Sequence, residues 1–340
     1  MTSITTKQIR LAKRPKGMPE KSDFEWNKMA LENPDTGEVL LKTLYVSVDP
    51  YMRGRMSDSK SYVKPYEVGK MITGGVIAEV IDSKSSDLQK GDVVIGDLGW
   101  QTYHLVPENQ LRKINPEQAP ISTHLGVLGM PGMTAYFGLL DIGKPKEGET
   151  VVVSGAAGAV GTVVGQIAKI AGAKVVGIAG TQEKINYLKN DLHFDEVVNY
   201  KSENFRDELK QACQDGIDVY YDNVGGEVSD SVLRLINKGA RIPVCGQISL
   251  YNLEKPDLGP RIQSQLLINS ALMKGFIVSD YGAHFEEAIQ DLAKWLNEGR
   301  LTYRETVVEG FNNIPDAFLG LFKGENIGKY IVKVADREVN

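Results

Sequence analysis

The sequence predicts an α/β protein of two domains, in which a doubly wound parallel sheet is set into a β-rich domain. Three observations lead there. The chain has 340 residues, more than the roughly 250 to 300 at which a single core stops growing. Its first third holds short β-branched runs separated by turn residues, with no long amphipathic helix. From Glu149 onward, strand-like and helix-like segments alternate, the pattern of a parallel sheet with crossover helices.

In the first part, "KQIRLAKRP" near the N-terminus reads as a polar first strand. "EVLLKTLYVSVD" (38–49), "GGVIAEVIDS" (74–83) and "GDVVIGDLGWQTYHLV" (91–106) are β-branched or aromatic and end at Gly, Asp, Ser or Pro. They predict a mostly antiparallel, partly barrel-like domain. The longest uncharged run, "LGVLGMPGMTAYFGLL" (125–140), is shorter than the roughly 20 residues of a membrane span and is broken by Gly and Pro. It reads as a buried helical segment.

In the second part, strand 150–155 leads to helix 161–172, strand 173–180 to helix 181–191, strand 196–200 to helix 203–213, and strand 217–225 to helix 227–236. Strands 240–246 and 273–278 and a helix over 284–299 follow. Short strands then return in "LTYRETVVEG" and "GKYIVKV", so the tail rejoins the first domain. The predicted boundaries are 1–124 with 299–340 for the β-rich domain and 125–298 for the nucleotide domain. A domain inserted in this way leaves a cleft, a favoured place for a ligand.

Composition narrows the function. With 42% hydrophobic and 24% charged residues the chain is ordinary for a globular protein, and a net charge of −5 speaks against nucleic acid. The N-terminal stretch lacks the run of about 7 to 15 apolar residues of a signal peptide. Cys213 and Cys245 are the only cysteines, too few for a disulfide framework, so a cytoplasmic setting is expected. His104, His124, His193 and His284 are isolated in sequence, whereas a catalytic zinc needs about three protein ligands. No metal is expected, and a zinc-dependent alcohol dehydrogenase is the weakest reading.

"SGAAGAVG" (154–161) spaces Gly155, Gly158 and Gly161 three apart. Between a strand and a helix, such glycines let the backbone and the helix N-terminus approach a pyrophosphate. After the next strand comes "AGTQEK" (179–184). An NAD site normally has a carboxylate at this strand end to bind the ribose hydroxyls. Here Gly180 removes it, Thr181 offers a hydroxyl and Lys184 a cation, which favours the 2′-phosphate of NADP. Lys184 as a solvated surface lysine is the alternative, and Glu183 is expected to face solvent from mid-helix.

Eight segments in order make the chain resemble the zinc-independent branch of the medium-chain dehydrogenase/reductase superfamily, near the prostaglandin and leukotriene reductases, plant double-bond reductases and curcumin reductases. They are "SVDPYMRGRM" (47–56), "GMPGMTAYFGL" (129–139), "GAAGAVG" (155–161), "AGTQEK", "YYDNVGG" (220–226), "CGQISLYN" (245–252), "MKGFIVSD" (273–280) and "GENIGKYIVKV" (324–334). Gly155 is a small departure, since this family often has Ala there. The resemblance implies a GroES-like β-rich catalytic domain, a Rossmann cofactor domain and a homodimer. It also implies that Gly158, Ala159, Val160 and Gly161 meet the pyrophosphate of NADPH, and Lys184 with Tyr200 its 2′-phosphate. Asn223, the loop Cys245, Gly246, Gln247, Ile248, Ser249, Leu250 and Tyr251, then Phe276, Ile277, Val278 and Asn326, would enclose the nicotinamide half. Asn223 and Asn326 flank glycines, and a turn-shaping role is the alternative to cofactor contact.

The implied reaction reduces a carbon–carbon double bond conjugated to a carbonyl, with NADPH as the hydride source and no metal. Negative charge then builds on the carbonyl oxygen and calls for a positioned donor. A tyrosine suits this, with an ordinary pKa of about 10. Tyr251 is the first candidate, and Tyr51 and Tyr62 resemble substrate-cleft tyrosines, although with 14 tyrosines in the chain packing roles compete. Arg53 reads either as a receptor for an acidic substrate or as half of a structural ion pair. An NADPH-dependent quinone reductase and a non-catalytic NADPH-binding protein are the rival readings.

Overall fold

The computed structural model describes residues 4–338 and divides into two compact units. The first comprises the residues up to Leu125, Glu305–Asn326 and those from Tyr330. The second comprises Gly126–Arg304 with Ile327–Lys329.

Among the described residues, the first unit carries a two-stranded antiparallel ribbon, Ile4–Leu11 with Phe24–Leu31, and a larger mixed-length sheet. Across that sheet run Glu305–Glu309, Lys329–Lys333, Glu38–Ser47, Thr73–Ser83, Val93–Gly99 and Arg112–Ile114, and Tyr103–Pro107 pairs with Glu38–Ser47. Alternate residues separate the two faces. Val76, Ala78 and Val80 join one large core with Val39 and Leu41, while Ile77 packs with Leu44, Val93 and Ile331 on the other side.

The tail is not strands alone. Between the last two strands lies the helix Ile314–Lys323, whose Ile314, Ala317 and Phe318 are buried. The Phe318 ring meets Phe24 and Trp100 edge-on at 6.3 and 6.1 Å. "IPDAFLGLFK" carries apolar residues at helical spacing, a signal overshadowed in sequence by the flanking β-like runs.

The second unit is a parallel sheet in the order Glu196–Asn199, Lys174–Ala179, Thr150–Ser154, Ile217–Tyr221, Ile236–Val244, Leu272–Gly275. Counted along the chain this is 3-2-1-4-5-6, so the order reverses between Thr150–Ser154 and Ile217–Tyr221, where doubly wound sheets take their ligands. The helix after the glycine turn starts earlier than its apolar pattern suggests, at Ala159, and runs to Ile170. The segment expected as one helix over 181–191 is α-helical only over Gln182–Asn186 and widens to i→i+5 bonding over Tyr187–Asp191. The fifth strand begins at Ile236 and ends at Val244, and the sixth stops at Gly275, which leaves 245–251 and 276–278 as loops past strand ends. The segment expected to be one helical run over 125–140 is α-helical only over Met130–Phe137, followed by a wider turn over Gly138–Gly143.

Candidate active site

The glycine turn is held closed by geometry that favours glycine. Gly155 has φ +60°, and a Cβ at Gly161 would stand 2.4 Å from the Gly155 carbonyl oxygen. Gly155 is therefore suited to its left-handed backbone. Gly158 N–H donates to Gly155 O at 3.0 Å, and Gly158 caps the helix with no side-chain hydrogen bond. The Gly328 N–H donates to Ala157 O at 2.8 Å and braces the turn from the chain's return. A bare helix N-terminus behind a tight glycine turn fits a pyrophosphate. Gly158, Ala159, Val160 and Gly161 all lie on it.

At the end of the second strand, a Cβ on Gly180 would come within 2.5 Å of the Tyr200 ring, so the ring lies directly against the glycine backbone. Thr181 caps the following helix by accepting from Lys184 N–H at 3.4 Å. Lys184 is half-buried; desolvation and then neighbouring Lys201 lower its pKa, against Glu183. Glu183 does not sit mid-helix: it occupies the first turn, 72% exposed in its side chain, and reaches Arg304 at 3.4 Å. Lys184 and Tyr200 thus share one edge of the sheet.

The switch point is organised by a residue that sequence reasoning passed over, Asp222. Its buried carboxylate accepts from Tyr220 Oη at 2.8 Å, from Ser154 Oγ at 3.1 Å, from the Val224 and Gly225 N–H groups at 3.0 and 2.9 Å, and from Ser229 Oγ. Its carbonyl receives the N–H groups of Cys245 and Gly246. An acidic residue inside an otherwise apolar strand end was the available signal. Asn223 donates its side-chain amide to Ser154 O at 2.8 Å and its backbone N–H to Ser154 Oγ at 2.9 Å, so it shapes the loop.

The loop 245–251 lies along 222–224, with Ser249 N–H donating to Val224 O at 3.1 Å and Ile248 N–H to Asn223 O at 3.4 Å. Tyr251 folds back so that Gln247 N–H donates to its hydroxyl oxygen at 3.3 Å, and Gly246 makes room for that hydroxyl. Burial pushes the Cys245 thiol up to about 12, with the Tyr221 hydroxyl opposing and Asp222 adding to the rise. A thiol so poised is no nucleophile. Phe276 packs edge-on against Tyr221 at 6.5 Å, and Ile277 and Val278 follow at the carboxyl end of the last strand. The structure therefore gathers the glycine turn, Asn223, 245–251 and 276–278 at adjacent strand ends of the second unit.

Tyr51, Tyr62 and Asn326 belong to the first unit. Tyr51 opens the short helix Tyr51–Arg55 and is half-buried. Desolvation, followed by Asp49, Tyr66 and Asp97, raises its pKa far above the ordinary phenol value, against Arg55. Tyr66, unremarked in the sequence, is buried, donates to Thr73 O at 2.6 Å and lies 4.0 Å beneath the Arg55 guanidinium. Tyr62 is 64% exposed in an irregular segment, and Asn326 is buried after the Ile314–Lys323 helix. Arg53 is buried and donates to Gly17 O at 2.9 Å.

Among the described residues, no group of three or more His, Cys, Asp or Glu could hold a metal ion, and no helix is long and apolar enough to cross a membrane. His104 instead bridges Thr43 Oγ1 and Gln101 Nε2, each at 2.8 Å, and burial pushes its pKa down to about 3.

Residues 7–114 match the family described as the N-terminal domain of oxidoreductase, and residues 159–296 the family described as zinc-binding dehydrogenase. The zinc of that second description does not fit the side chains described above. The chain is 61% identical over 337 residues to the Bacillus subtilis protein YfmJ, provisionally named as an NADP-dependent oxidoreductase, covering 98% of this chain and 99% of that one. It is 45% identical over 330 residues to the NADPH-dependent curcumin reductase of Escherichia coli, covering 96% of each. It is also 45% identical over 336 residues to prostaglandin reductase 1 of Bos taurus, covering 97% and 99%. The crystal structure of CurA from Vibrio vulnificus in complex with NADPH superposes with a TM-score of 0.93 at 45% identity, over 97% of this chain and 99% of that one. End-to-end identity at this level, together with the glycine turn and the strand order, establishes that the chain belongs to the medium-chain dehydrogenase/reductase family, in the branch of the curcumin and prostaglandin reductases.

Proposed function

We propose that this protein is an NADPH-dependent reductase of the carbon–carbon double bond in α,β-unsaturated ketones and aldehydes, delivering hydride to the β-carbon without a metal. The observation that carries this is full-length similarity to reductases named for curcumin, prostaglandin and 2-alkenal substrates. The NADPH complex of CurA, 45% identical, accounts for the cofactor.

The chain's own residues divide the work. The helix N-terminus behind Gly158–Gly161 would hold the pyrophosphate, and Lys184 with Tyr200 the 2′-phosphate. Asn223, 245–251, 276–278 and Asn326 would frame the nicotinamide half. When bound, NADPH supplies the hydride. The protein must then orient the enone and stabilise the oxygen on which charge accumulates. We assign that donor role to Tyr251 first, with Tyr51 and Tyr62 as substrate-orienting hydroxyls. The anionic and apolar surroundings of Tyr51 keep its phenol neutral and therefore a donor. An acid or water completes the reaction at the α-carbon.

Two finer readings accompany this one. A homodimer is supported by the edge strand Leu272–Gly275, beside which Leu267, Ile268 and Leu272 are exposed, since open apolar edges invite pairing. Sedimentation of the purified protein tests it. A cytoplasmic location is supported by two cysteines that are both free thiols.

The deciding experiment is steady-state kinetics on short enals, long-chain enones and diarylheptanoids, with NADPH and NADH side by side and the saturated ketone or aldehyde identified as product. Turnover with NADPH on at least one class is expected. Silence across the panel, or reduction of the carbonyl in place of the double bond, would overturn the assignment.

A further inference from the structure

The strand end at Gly180 holds a second cation that the family resemblance did not supply. Tyr200 N–H donates to Ala179 O at 3.1 Å, which carries the backbone pairing one residue beyond the Glu196–Asn199 strand and lays the Tyr200 ring against Gly180. A Cβ at Gly180 would stand 2.5 to 2.8 Å from Cε1, Cζ and Oη of that ring. The glycine therefore does more than remove a carboxylate: any side chain there would displace the tyrosine. Lys201 comes next in the chain, its N–H fixed by Asn199 Oδ1 at 3.0 Å. Its ammonium lies 5.8 Å from the centroid of the Tyr200 ring, within the range of a cation–π contact. Lys201 is near enough to Lys184 to depress its affinity for a proton.

Two ammonium groups close enough to repel one another at one strand end would both be stabilised by an anion placed between them. Glu183 on the lysine's own helix attracts Lys184 and also reaches Arg304 at 3.4 Å, and Arg304 lies 5.3 Å over the Tyr187 ring. Lys184 and Lys201 together offer the paired cations that suit a doubly charged group such as a phosphate monoester.

We propose that Lys201 is the second cation of the 2′-phosphate pocket, a specificity-determining residue that acts with Lys184 around the face of the Tyr200 ring. This rests on the reading of Lys184 and Tyr200 as the 2′-phosphate site. A charge-assisted contact of this kind, close to solvent, corresponds to roughly a five- to tenfold change in affinity.

The test is calorimetric titration of the purified full chain with adenosine 2′,5′-bisphosphate and with 5′-AMP, at fixed ionic strength, for the native protein, Lys201→Met and Lys201→Arg. The native protein should prefer the bisphosphate. Lys201→Met should lose affinity for it about five- to tenfold and keep its affinity for 5′-AMP, and Lys201→Arg should recover most of the loss. Unchanged bisphosphate binding in Lys201→Met overturns the proposal, and so does an equal loss for both ligands, which would mark a structural role. If the native protein does not distinguish the two ligands, the 2′-phosphate reading itself fails and this inference with it.

Discussion

The Ser154 hydroxyl donates to the Asp222 carboxylate at 3.1 Å and so ties together the ends of the two strands between which the sheet order reverses. The same carboxylate takes the Val224 and Gly225 N–H groups, and the Asp222 carbonyl holds the start of the 245–251 loop. One buried acid therefore positions the glycine turn, Asn223 and the Tyr251 loop relative to one another. Its role is positional, since it acts through the groups it holds.

Asp222→Ala should accordingly damage stability and cofactor binding together. It strands the buried Tyr220, Ser154 and Ser229 hydroxyls and two backbone donors. Unsatisfied buried polar groups of this kind cost about 1–3 kcal/mol each, so five stranded donors set a loss of about 5 kcal/mol or more, reduced by whatever water enters the space left by the carboxylate. Urea denaturation measures the first effect and NADPH titration the second. A variant as stable as the parent would show that the network is dispensable.

Lys184→Glu should raise KM for NADPH by at least about tenfold and leave KM for NADH nearly unchanged, because a carboxylate placed against a phosphate is repelled while a ribose hydroxyl is not. Parallel saturation curves with the two cofactors decide it. An equal effect on both would place Lys184 outside the 2′-phosphate site.

Tyr251→Phe removes a hydroxyl without removing the ring. If that hydroxyl donates to the developing enolate, kcat should fall by about 100-fold, in the range found for single oxyanion donors. NADPH affinity and melting temperature should hold, the more so because the Gln247 N–H that donates to this hydroxyl is exposed to water. Tyr51→Phe in parallel identifies which phenol matters more: a small effect at Tyr251 with a large one at Tyr51 would reverse the assignment.

The cofactor half of the site was legible because its chemistry is written in contiguous backbone requirements: glycines at fixed spacing, a strand before them and a helix after. The reading of Gly180 and Lys184 rests on the same kind of local pattern. Asp222 was not, since it acts through Ser154, far away in sequence, and Tyr66 was not, since its nearby partners Arg55 and Thr73 are joined to it through an irregular segment with no periodicity to read. Lys201 carries no signal in the sequence, because a lysine after a strand ordinarily faces solvent; its ammonium 5.8 Å from the Tyr200 ring follows from the fold. Arg53 and Arg55 are two residues apart in one short helix, yet the first is buried against Gly17 and the second lies over Tyr66. Sequence spacing alone could not tell them apart.

The buried His104 makes a prediction about pH. Thr43 Oγ1 donates to Gln101 O at 2.6 Å, so it accepts from His104 Nε2, and Nδ1 in turn accepts from the Gln101 side-chain amide. That chain of bonds requires the neutral ring. The folded protein holds its pKa down near 3 through desolvation, whereas the unfolded chain titrates near the ordinary 6.5. Below 6.5 the unfolded state binds a proton that the folded state refuses, so stability falls as pH falls, by up to about 1.4 kcal/mol per unit, until the folded ring titrates. Between pH 7 and pH 5 the loss from His104 should approach about 2 kcal/mol. Chemical denaturation at the two pH values measures it in the parent and in His104→Gln, which cannot take up that proton. The parent should lose more stability than the variant over this window. Equal slopes would show that His104 is not the group that titrates on unfolding.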